Sequence, residues 1–181
     1  MDWRDEESQQ LRFRQLLKIL SDDKKPFSII DFGCGYGALF EMLATDDREF
    51  SYHGYDAAEA IVDKGREMYA GDGRASFSSR IEELPVSDYV VCSGVWNVKG
   101  EANTEAWERY VLSGLESLNS LCTRGFSFNI LTSYVDDDRR RSDLYYADPG
   151  FYFKYCKTHF SRNVALLHDY NLYEFTMLVG M

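Results

Sequence analysis

The chain has 181 residues, with 30 acidic and 20 basic side chains and a net charge of −10. Its composition, 45% apolar and 15% aromatic, excludes a disordered chain, because such chains bury too little apolar surface to offset their ordering entropy. The acidity disfavours nucleic acid and anionic lipid as partners, since both bind clustered Lys and Arg. Residues 41–110 carry −8 of this charge, which is typical of a solvated helical face.

The spacing of cysteine and histidine indicates neither a metal site nor a disulfide framework. Cys34, Cys92, Cys122 and Cys156 form no CxxC pair, and the three histidines form no HExxH motif. No apolar run reaches about 20 residues, and the charged N-terminus is not typical of a signal peptide. We therefore expect a reduced, cytoplasmic protein without a metal, a membrane anchor or a nucleic-acid partner.

Apolar periodicity predicts helices and strands that alternate along most of the chain. A helix over residues 5–21 comes first, and four more are predicted at Ala38–Ala44, Glu59–Tyr69, Thr104–Leu121 and Phe151–Phe160. Seven strands are predicted at Phe27–Phe32, Phe50–Tyr55, Ala75–Ser78, Tyr89–Ser93, Gly125–Leu131, Val164–His168 and Tyr173–Val179. The last two form an antiparallel hairpin. This order predicts one α/β domain of residues 1–181, with a doubly wound, mostly parallel seven-stranded sheet and helices on both faces.

A glycine-rich turn follows the first strand. Gly33, Gly35 and Gly37 have the spacing GxGxG, not the GxGxxG of dinucleotide-binding sheets. Glycine lets a backbone approach a ligand closely and tolerates positive φ, although a plain tight turn would explain the same residues. In an open α/β sheet ligands bind at the carboxyl ends of the strands, where this turn is expected.

Asp56 ends the second strand, 23 residues after Gly33. Its carboxylate has about four lone-pair sites and can accept hydrogen bonds from both hydroxyls of a ribose. The alternative role is a helix N-cap for the residues that follow, and one side chain can do both.

These segments resemble the class I S-adenosylmethionine-dependent methyltransferases. Ile29-Ile30-Asp31-Phe32-Gly33-Cys34-Gly35-Tyr36-Gly37 is similar to their first motif, and Tyr52-His53-Gly54-Tyr55-Asp56 to the acidic motif of their second strand. Ile81-Glu82-Glu83-Leu84-Pro85 and then Tyr89-Val90-Val91-Cys92-Ser93 are similar to the segment that runs into their fourth strand. The resemblance covers the whole chain, and a looser one leads to small bacterial proteins near the trans-aconitate methyltransferases.

The resemblance implies S-adenosylmethionine as the cofactor. Asp31 would face its ammonium and Asp56 its ribose, while Ile81 would flank the adenine and Ser93 would offer backbone near the sulfonium. Arg80 stands where many relatives carry an acid, and because it cannot accept the bond from the adenine amino group, backbone contacts are expected instead. The residues assigned to the cofactor are Arg12, Asp31, Gly33, Cys34, Gly35, Gly37, Asp56, Ala57, Arg80, Ile81 and Ser93.

The first helix and its flanks, residues 1–24, are expected to fold over the cofactor. Arg12 and Phe13 would then cover the carboxylate of the cofactor, for which an arginine is well shaped. A surface position is the alternative for Arg12.

The methyl acceptor is expected above the carboxyl ends of the fourth to sixth strands. The segment after the fourth strand has neither the Asn/Asp-Pro-Pro-aromatic signature of amino-group methylation of adenine or glutamine nor a Pro-Cys pair for cytosine carbon. We therefore predict a small polar acceptor that is methylated at oxygen or nitrogen. The residues assigned to it are Trp96, Asn97, Asn129, Tyr145 and Tyr146, with the long segment 134–149 as a candidate lid.

His168 is the candidate catalytic base, because a histidine titrates near pH 7 and the predicted topology puts it on the acceptor side. A hydrogen bond to backbone is its alternative role, and core packing and a turn are those of Trp96 and Asn97. Two other functions stay open: a non-catalytic S-adenosylmethionine-binding partner subunit, and a nicotinamide-dependent oxidoreductase. The second is disfavoured by the glycine spacing and by the lack of residues for a catalytic domain.

Overall fold

A computed structural model describes residues 6–20 and 25–181. The helices are α1 (Glu6–Leu16), α2 (Ala38–Leu43), α3 (Glu59–Met68), α4 (Thr104–Ser120) and α5 (Pro149–His159). The strands are β1 (Phe27–Phe32), β2 (Phe50–Tyr55), β3 (Ala75–Ser78), β4 (Ser87–Ser93), β5 (Cys122–Leu131), β6 (Asn163–Leu167) and β7 (Glu174–Gly180). The predicted extensions of the first helix over 1–5 and 21–24 lie outside the described residues.

The strands form one sheet in the order β3-β2-β1-β4-β5-β7-β6. β1 to β5 pair in parallel, whereas β7 pairs antiparallel with both β5 and β6. The predicted fold class is therefore confirmed, including the reversed hairpin at the end. β4 and β5 begin earlier than predicted, because Ser87 and Cys122 already pair with each other before the apolar run starts.

The sheet carries a hydrophobic layer on each face. On one face, α4 and α5 pack against alternate residues of the strands, such as Phe128 of β5 and Phe175 of β7, and form what we call the α4–α5 layer. α4 contributes Val111, Leu115 and Leu118. On the other face, α1, α2 and α3 pack over residues of the opposite parity, which include Ile29, Tyr52 and Val91. Within residues 6–20 and 25–181, no helix has both the length and the apolar character required to cross a bilayer.

Local chemistry accounts for where the later helices begin. The side chain of Asn103 accepts a hydrogen bond from the Ala106 amide at the start of α4. Asp148 does the same for Gly150 at the start of α5, where Pro149 occupies the first turn. These caps therefore help to fix the residue at which each helix begins.

Candidate functional site

The turn after β1 contains three glycines with different surroundings. Gly33, Gly35 and Gly37 have φ of 85°, 55° and 91°, a left-handed region that side chains rarely adopt. A Cβ at Gly33 would lie 2.2 Å from Val95 Cγ2, and one at Gly37 would lie 2.8 Å from Tyr69 Cε2. A Cβ at Gly35 would have no atom within 4 Å. Gly33 and Gly37 therefore let the turn pack against the fold, whereas Gly35 borders open space that a ligand can enter.

Asp56 lies beside this turn, just after β2. Its Oδ2 accepts a hydrogen bond from the Gly35 amide over 3.2 Å, and its Oδ1 accepts one from the Ala58 amide over 3.0 Å. The N-cap residue of α3 is Ala58, so Asp56 itself does not occupy the N-cap position. Each carboxylate oxygen keeps a second lone pair, and the side chain can therefore still accept two hydroxyl donors from a ligand.

Asp31 lies beneath the turn and is only 2% exposed. The Tyr52 hydroxyl donates a 2.7 Å hydrogen bond to Asp31 Oδ2. Burial raises the pKa of Asp31 to about 7; the Tyr52 bond opposes this shift and the charge of nearby Asp56 adds to it. Because a positive charge beside a buried carboxylate offsets the cost of ionising it, this side chain is suited to a cationic group of a ligand.

β4 ends beside the same turn at Ser93, which is 7% exposed. Its Oγ is buried and has no hydrogen-bond partner among the described residues. A buried hydroxyl without a partner costs free energy, so it points to a ligand that completes it. The open space at Gly35, the remaining lone pairs of Asp56 and this hydroxyl together fit a polar cofactor along the carboxyl ends of β1, β2 and β4.

The other residues assigned to the cofactor surround this edge. Cys34 is buried, and burial together with the charge of Asp31 raises the pKa of its thiol, which therefore stays protonated. Ala57 is exposed, and Ile81, which begins a 3₁₀ turn, is half-buried. Arg80 is exposed and pairs with Glu83 over 3.3 Å, so the structure gives it a surface partner rather than a place in the site.

Arg12 lies on α1, the helix that contacts β4, β5 and β7. Its Nε donates to Oε1 of Glu174, the first residue of β7, over 2.5 Å. Arg12 is mostly buried, and this bond turns it toward the sheet, so the surface alternative is wrong. Phe13 is buried in the layer under α1. α1 thus packs over β4, β5 and β7 on one face of the sheet. Arg12 has a protein carboxylate as its partner.

Two residues assigned to the acceptor lie in the hydrophobic layer of α4 and α5. Trp96 is 1% exposed and packs edge-on against Phe128, with ring centroids 5.8 Å apart. Tyr145 is 3% exposed, and its hydroxyl lies 2.9 Å from that of Tyr152. This placement does not support contact with an acceptor, and core packing accounts for both side chains.

Two asparagines assigned to the acceptor instead join the loop after β4 to β5. Asn129 is fully buried, and its Oδ1 accepts a 2.7 Å hydrogen bond from the Gly94 amide. Asn97 makes the reciprocal link, because its Oδ1 accepts a 3.1 Å hydrogen bond from the Leu131 amide. Both side-chain oxygens are therefore engaged by the protein itself.

Half of the candidate lid 134–149 is fastened to the body of the fold. The Tyr145 amide donates to Asn97 O over 2.9 Å, and the Ala147 amide donates to Leu131 O over 2.8 Å. Tyr146 is half-buried, and its hydroxyl accepts a 3.0 Å hydrogen bond from the Arg141 amide. Any lid movement is therefore limited to residues 134–142.

His168 follows β6 and is exposed at the carboxyl edge of the sheet. Its ring contacts Tyr134 and Phe175 at centroid distances of 6.0 and 6.5 Å, and Phe175 belongs to the α4–α5 layer. β6 is three strands from β4, which corresponds to roughly 14 Å at the usual strand spacing. The structure does not bring His168 together with Asp31 and Ser93.

Glu174 and Tyr52 are two site residues that the sequence alone does not reveal. Glu174 is 1% exposed. A lone carboxylate beside an apolar run is the signal in the sequence that could have indicated a buried, functional position. Tyr52 lies within a predicted strand, and nothing in the sequence shows that its hydroxyl reaches Asp31.

Comparisons with known proteins show the family and the fold. No family model matches the chain. A protein of Mycobacterium tuberculosis (strain ATCC 25618 / H37Rv) whose name calls it a methyltransferase, Rv1506c, is 45% identical over 156 residues. The match covers 85% of this chain and 93% of that protein.

Solved methyltransferase structures share the fold. Magnesium protoporphyrin IX methyltransferase from Synechocystis PCC 6803, with bound SAH, has a TM-score of 0.68 at 18% identity, over 96% of this chain and 82% of that one. Human N-acetylserotonin methyltransferase in complex with SAM has a TM-score of 0.64 at 16% identity, over 96% and 52%. The small RNA methyltransferase HEN1 has a TM-score of 0.66 at 13% identity, over 94% and 25%. The chain belongs to the methyltransferases, and its fold is that of the class I S-adenosylmethionine-dependent enzymes.

Proposed function

We propose that this methyltransferase transfers its methyl group to an oxygen or nitrogen of a small polar molecule. The observation that carries the proposal is the charge pattern of segment 134–149, on the acceptor side of the sheet. Its three arginines each pair with an aspartate of the same segment, Arg139 with Asp136 (3.9 Å), Arg140 with Asp137 (3.4 Å) and Arg141 with Asp143 (2.7 Å). Phosphate backbones bind to clustered cationic side chains, so this surface suits RNA poorly.

Aromatic side chains on the same rim support a small acceptor. Tyr134 is 73% exposed and Tyr173 is 37% exposed. His168 lies beside Tyr134, and the Tyr173 hydroxyl donates to Asp136. Small-molecule sites commonly combine apolar and aromatic walls with a few polar groups that fix the orientation of the ligand.

The residues of the chain align the two reactants and exclude water. When bound, the cofactor supplies a methyl group on a positively charged sulfonium. We infer that Asp31 pairs with the cofactor's ammonium, that Asp56 accepts hydrogen bonds from its ribose hydroxyls, and that α1 shields the ends of β4, β5 and β7. Alignment of this kind can supply about 7–11 kcal/mol of the barrier reduction.

A base is required only where the acceptor must lose a proton before it attacks. An alcohol must, whereas a carboxylate oxygen or a neutral amine nitrogen attacks without one. A base also has to lie within about 3 Å of the atom that carries the proton it removes. Since His168 lies three strands from β4, we assign it to the outer rim of the acceptor site and favour acceptors that need no prior deprotonation.

The proposal is tested with S-adenosylmethionine labelled in its methyl group. The purified protein is incubated with three fractions of a cell extract: low-molecular-mass metabolites, total RNA and total protein. We expect label in the metabolite fraction, and we expect the variant Asp56→Ala to abolish it. Label that accumulates in RNA or protein, with none in the metabolites, would overturn the proposed acceptor while leaving the methyltransferase assignment intact.

A further inference from the structure

A chain of buried polar groups links α1 to the loop after β4. Arg12 Nε donates to Glu174 Oε1 over 2.5 Å, and Asn129 Nδ2 donates to Glu174 Oε2 over 3.1 Å. The Gly94 amide then donates to Asn129 Oδ1 over 2.7 Å. This chain of polar groups thus runs from α1 through β7 and β5 to the peptide that follows Ser93.

The sheet register explains why these side chains meet. Ser93 pairs with Asn129 between β4 and β5, and Leu131 pairs with Glu174 between β5 and β7. Alternate residues of these strands, such as Phe128 and Phe175, face the α4–α5 layer. Asn129 and Glu174 have the opposite parity and therefore face α1, which lies over them.

Burial makes this arrangement costly unless it is complete. Asn129 is 0% exposed and Glu174 is 1% exposed. Burial raises the pKa of Glu174, and the charge and hydrogen bond of Arg12 oppose that shift. A buried ion pair contributes little net stability, whereas removal of one partner is strongly destabilising. Such a pair is better explained by the geometry that it imposes than by the stability that it adds.

This chain of polar groups ends at Gly94, beside the site assigned to the methyl donor. Gly94 has φ of 68° and follows directly on Ser93, the residue whose buried Oγ has no partner among the described residues. The reciprocal hydrogen bond from the Leu131 amide to Asn97 holds the other end of the same loop. The loop after β4 is therefore held at two points, and one of them depends on Glu174.

We propose that Asn129 and Glu174 are positioning residues that hold the Gly94 peptide and the Ser93 hydroxyl in place for the cofactor. Arg12 neutralises Glu174, so docking of α1 and binding of the cofactor stabilise each other, as linkage requires of any two coupled events. The inference rests on the methyltransferase family and not on the proposed acceptor, because it concerns the cofactor alone.

An exchange of carboxylate and amide tests this assignment with S-adenosylhomocysteine as the probe. Asn129→Asp alone puts two carboxylates side by side, and Glu174→Gln alone removes the charge that Arg12 meets. The double variant restores one carboxylate, one amide and one arginine, with an acceptor oxygen still facing the Gly94 amide. In calorimetric titrations we expect Asn129→Asp to weaken binding about tenfold or more, which corresponds to one charge-assisted hydrogen bond, and the double variant to recover most of that loss.

Tyr152→Phe is the control. Tyr152 is fully buried in the layer of α4 and α5 on the opposite face of the sheet from α1, and its hydroxyl lies 2.9 Å from that of Tyr145, away from the chain of polar groups. We expect this variant to lower the thermal midpoint without changing the affinity for S-adenosylhomocysteine. The proposal is overturned if Asn129→Asp is folded and binds as wild type does, or if the double variant is folded and binds no better than Asn129→Asp.

Discussion

Asp31 is the residue whose chemistry depends most on where the fold puts it. A carboxyl group at the end of a strand would ordinarily titrate near pH 4, but burial raises the pKa of Asp31 to about 7. Tyr52 supplies one hydrogen bond, and a cationic group of the cofactor would supply the charge that the buried carboxylate lacks. Stability and cofactor binding are therefore both linked to the protonation of this side chain.

The ligand-free protein should lose stability as the pH rises toward neutrality. The pKa of Asp31 is higher in the folded than in the unfolded state, so this contribution is complete below about pH 4 and is lost as the pH rises through 7. The loss is at most about 4 kcal/mol, because each pH unit between the folded and unfolded pKa is worth about 1.4 kcal/mol. Urea unfolding between pH 4 and pH 8 measures it, and Asp31→Asn should flatten the curve. A slope unchanged in that variant would exclude Asp31 as its source.

Gly35 and Gly100 form a natural pair for a test of the glycine turn. Both have positive φ, 55° and 57°, and a Cβ at either would meet no atom within 4 Å. Substitution by alanine should cost each about 1 kcal/mol of stability, through backbone strain alone. Only Gly35→Ala should also weaken S-adenosylhomocysteine binding, measured by calorimetry, because only that Cβ enters the cofactor site. Equal affinities in the two variants would contradict the role of Gly35.

Spacing along the chain predicts that the residues assigned to the cofactor gather at the glycine turn, but it does not predict the contacts of those assigned to the acceptor. Glycines after β1 and an acid after β2 fall at the carboxyl edge in any sheet of this topology. Trp96 follows β4 and Asn129 lies near the carboxyl end of β5, yet their roles depend on neighbours distant in sequence. Only packing against Phe128, and hydrogen bonds to Gly94 and Glu174, show that both side chains serve the fold.

At the scale of elements, the strands were predictable because short β-branched and aromatic runs stand between turn residues. The way in which loops fasten to the sheet was not. Segment 134–149 is predicted as a lid because of its length alone, whereas the structure shows that its second half hydrogen-bonds to Asn97 and Leu131. The first half of the segment is therefore an exposed loop, and the second half is hydrogen-bonded to the rest of the fold.

Amide hydrogen exchange should divide this segment in two. The Tyr145 and Ala147 amides donate to backbone carbonyls, whereas residues 136–142 are exposed. Exchange at Tyr145 and Ala147 should be slower than at residues 136–138 by a factor of about 100 or more, because hydrogen-bonded amides of the packed fold open rarely. Saturating S-adenosylhomocysteine should leave the slow pair slow. A uniform exchange rate along 134–149 would contradict the anchored half.

Across the whole molecule, the candidate cofactor site and the proposed acceptor rim lie along one edge of the sheet. β1, β2 and β4 present the glycine turn, Asp56 and Ser93, and the proposed acceptor rim lies beyond β5 and β7. α1 lies over the strands between them. Its Arg12 donates a hydrogen bond to Glu174 of β7, which also accepts one from Asn129 of β5. The net charge of −10 and the paired arginines of segment 134–149 leave this surface better suited to a small molecule than to RNA.

Calorimetric titration of S-adenosylhomocysteine into wild type, Asp56→Ala and Asp72→Ala tests the cofactor site most directly. Asp72 serves as the control, because its carboxylate, like that of Asp56, accepts a hydrogen bond from a backbone amide. It does so in the turn before β3, where it also accepts hydrogen bonds from the Arg74 side chain. Two charge-assisted hydrogen bonds to a ribose are worth about 3 kcal/mol or more, so Asp56→Ala should bind about 100-fold more weakly than wild type. Asp72→Ala should bind as wild type does. An Asp56→Ala variant that is folded and keeps wild-type affinity would contradict the account.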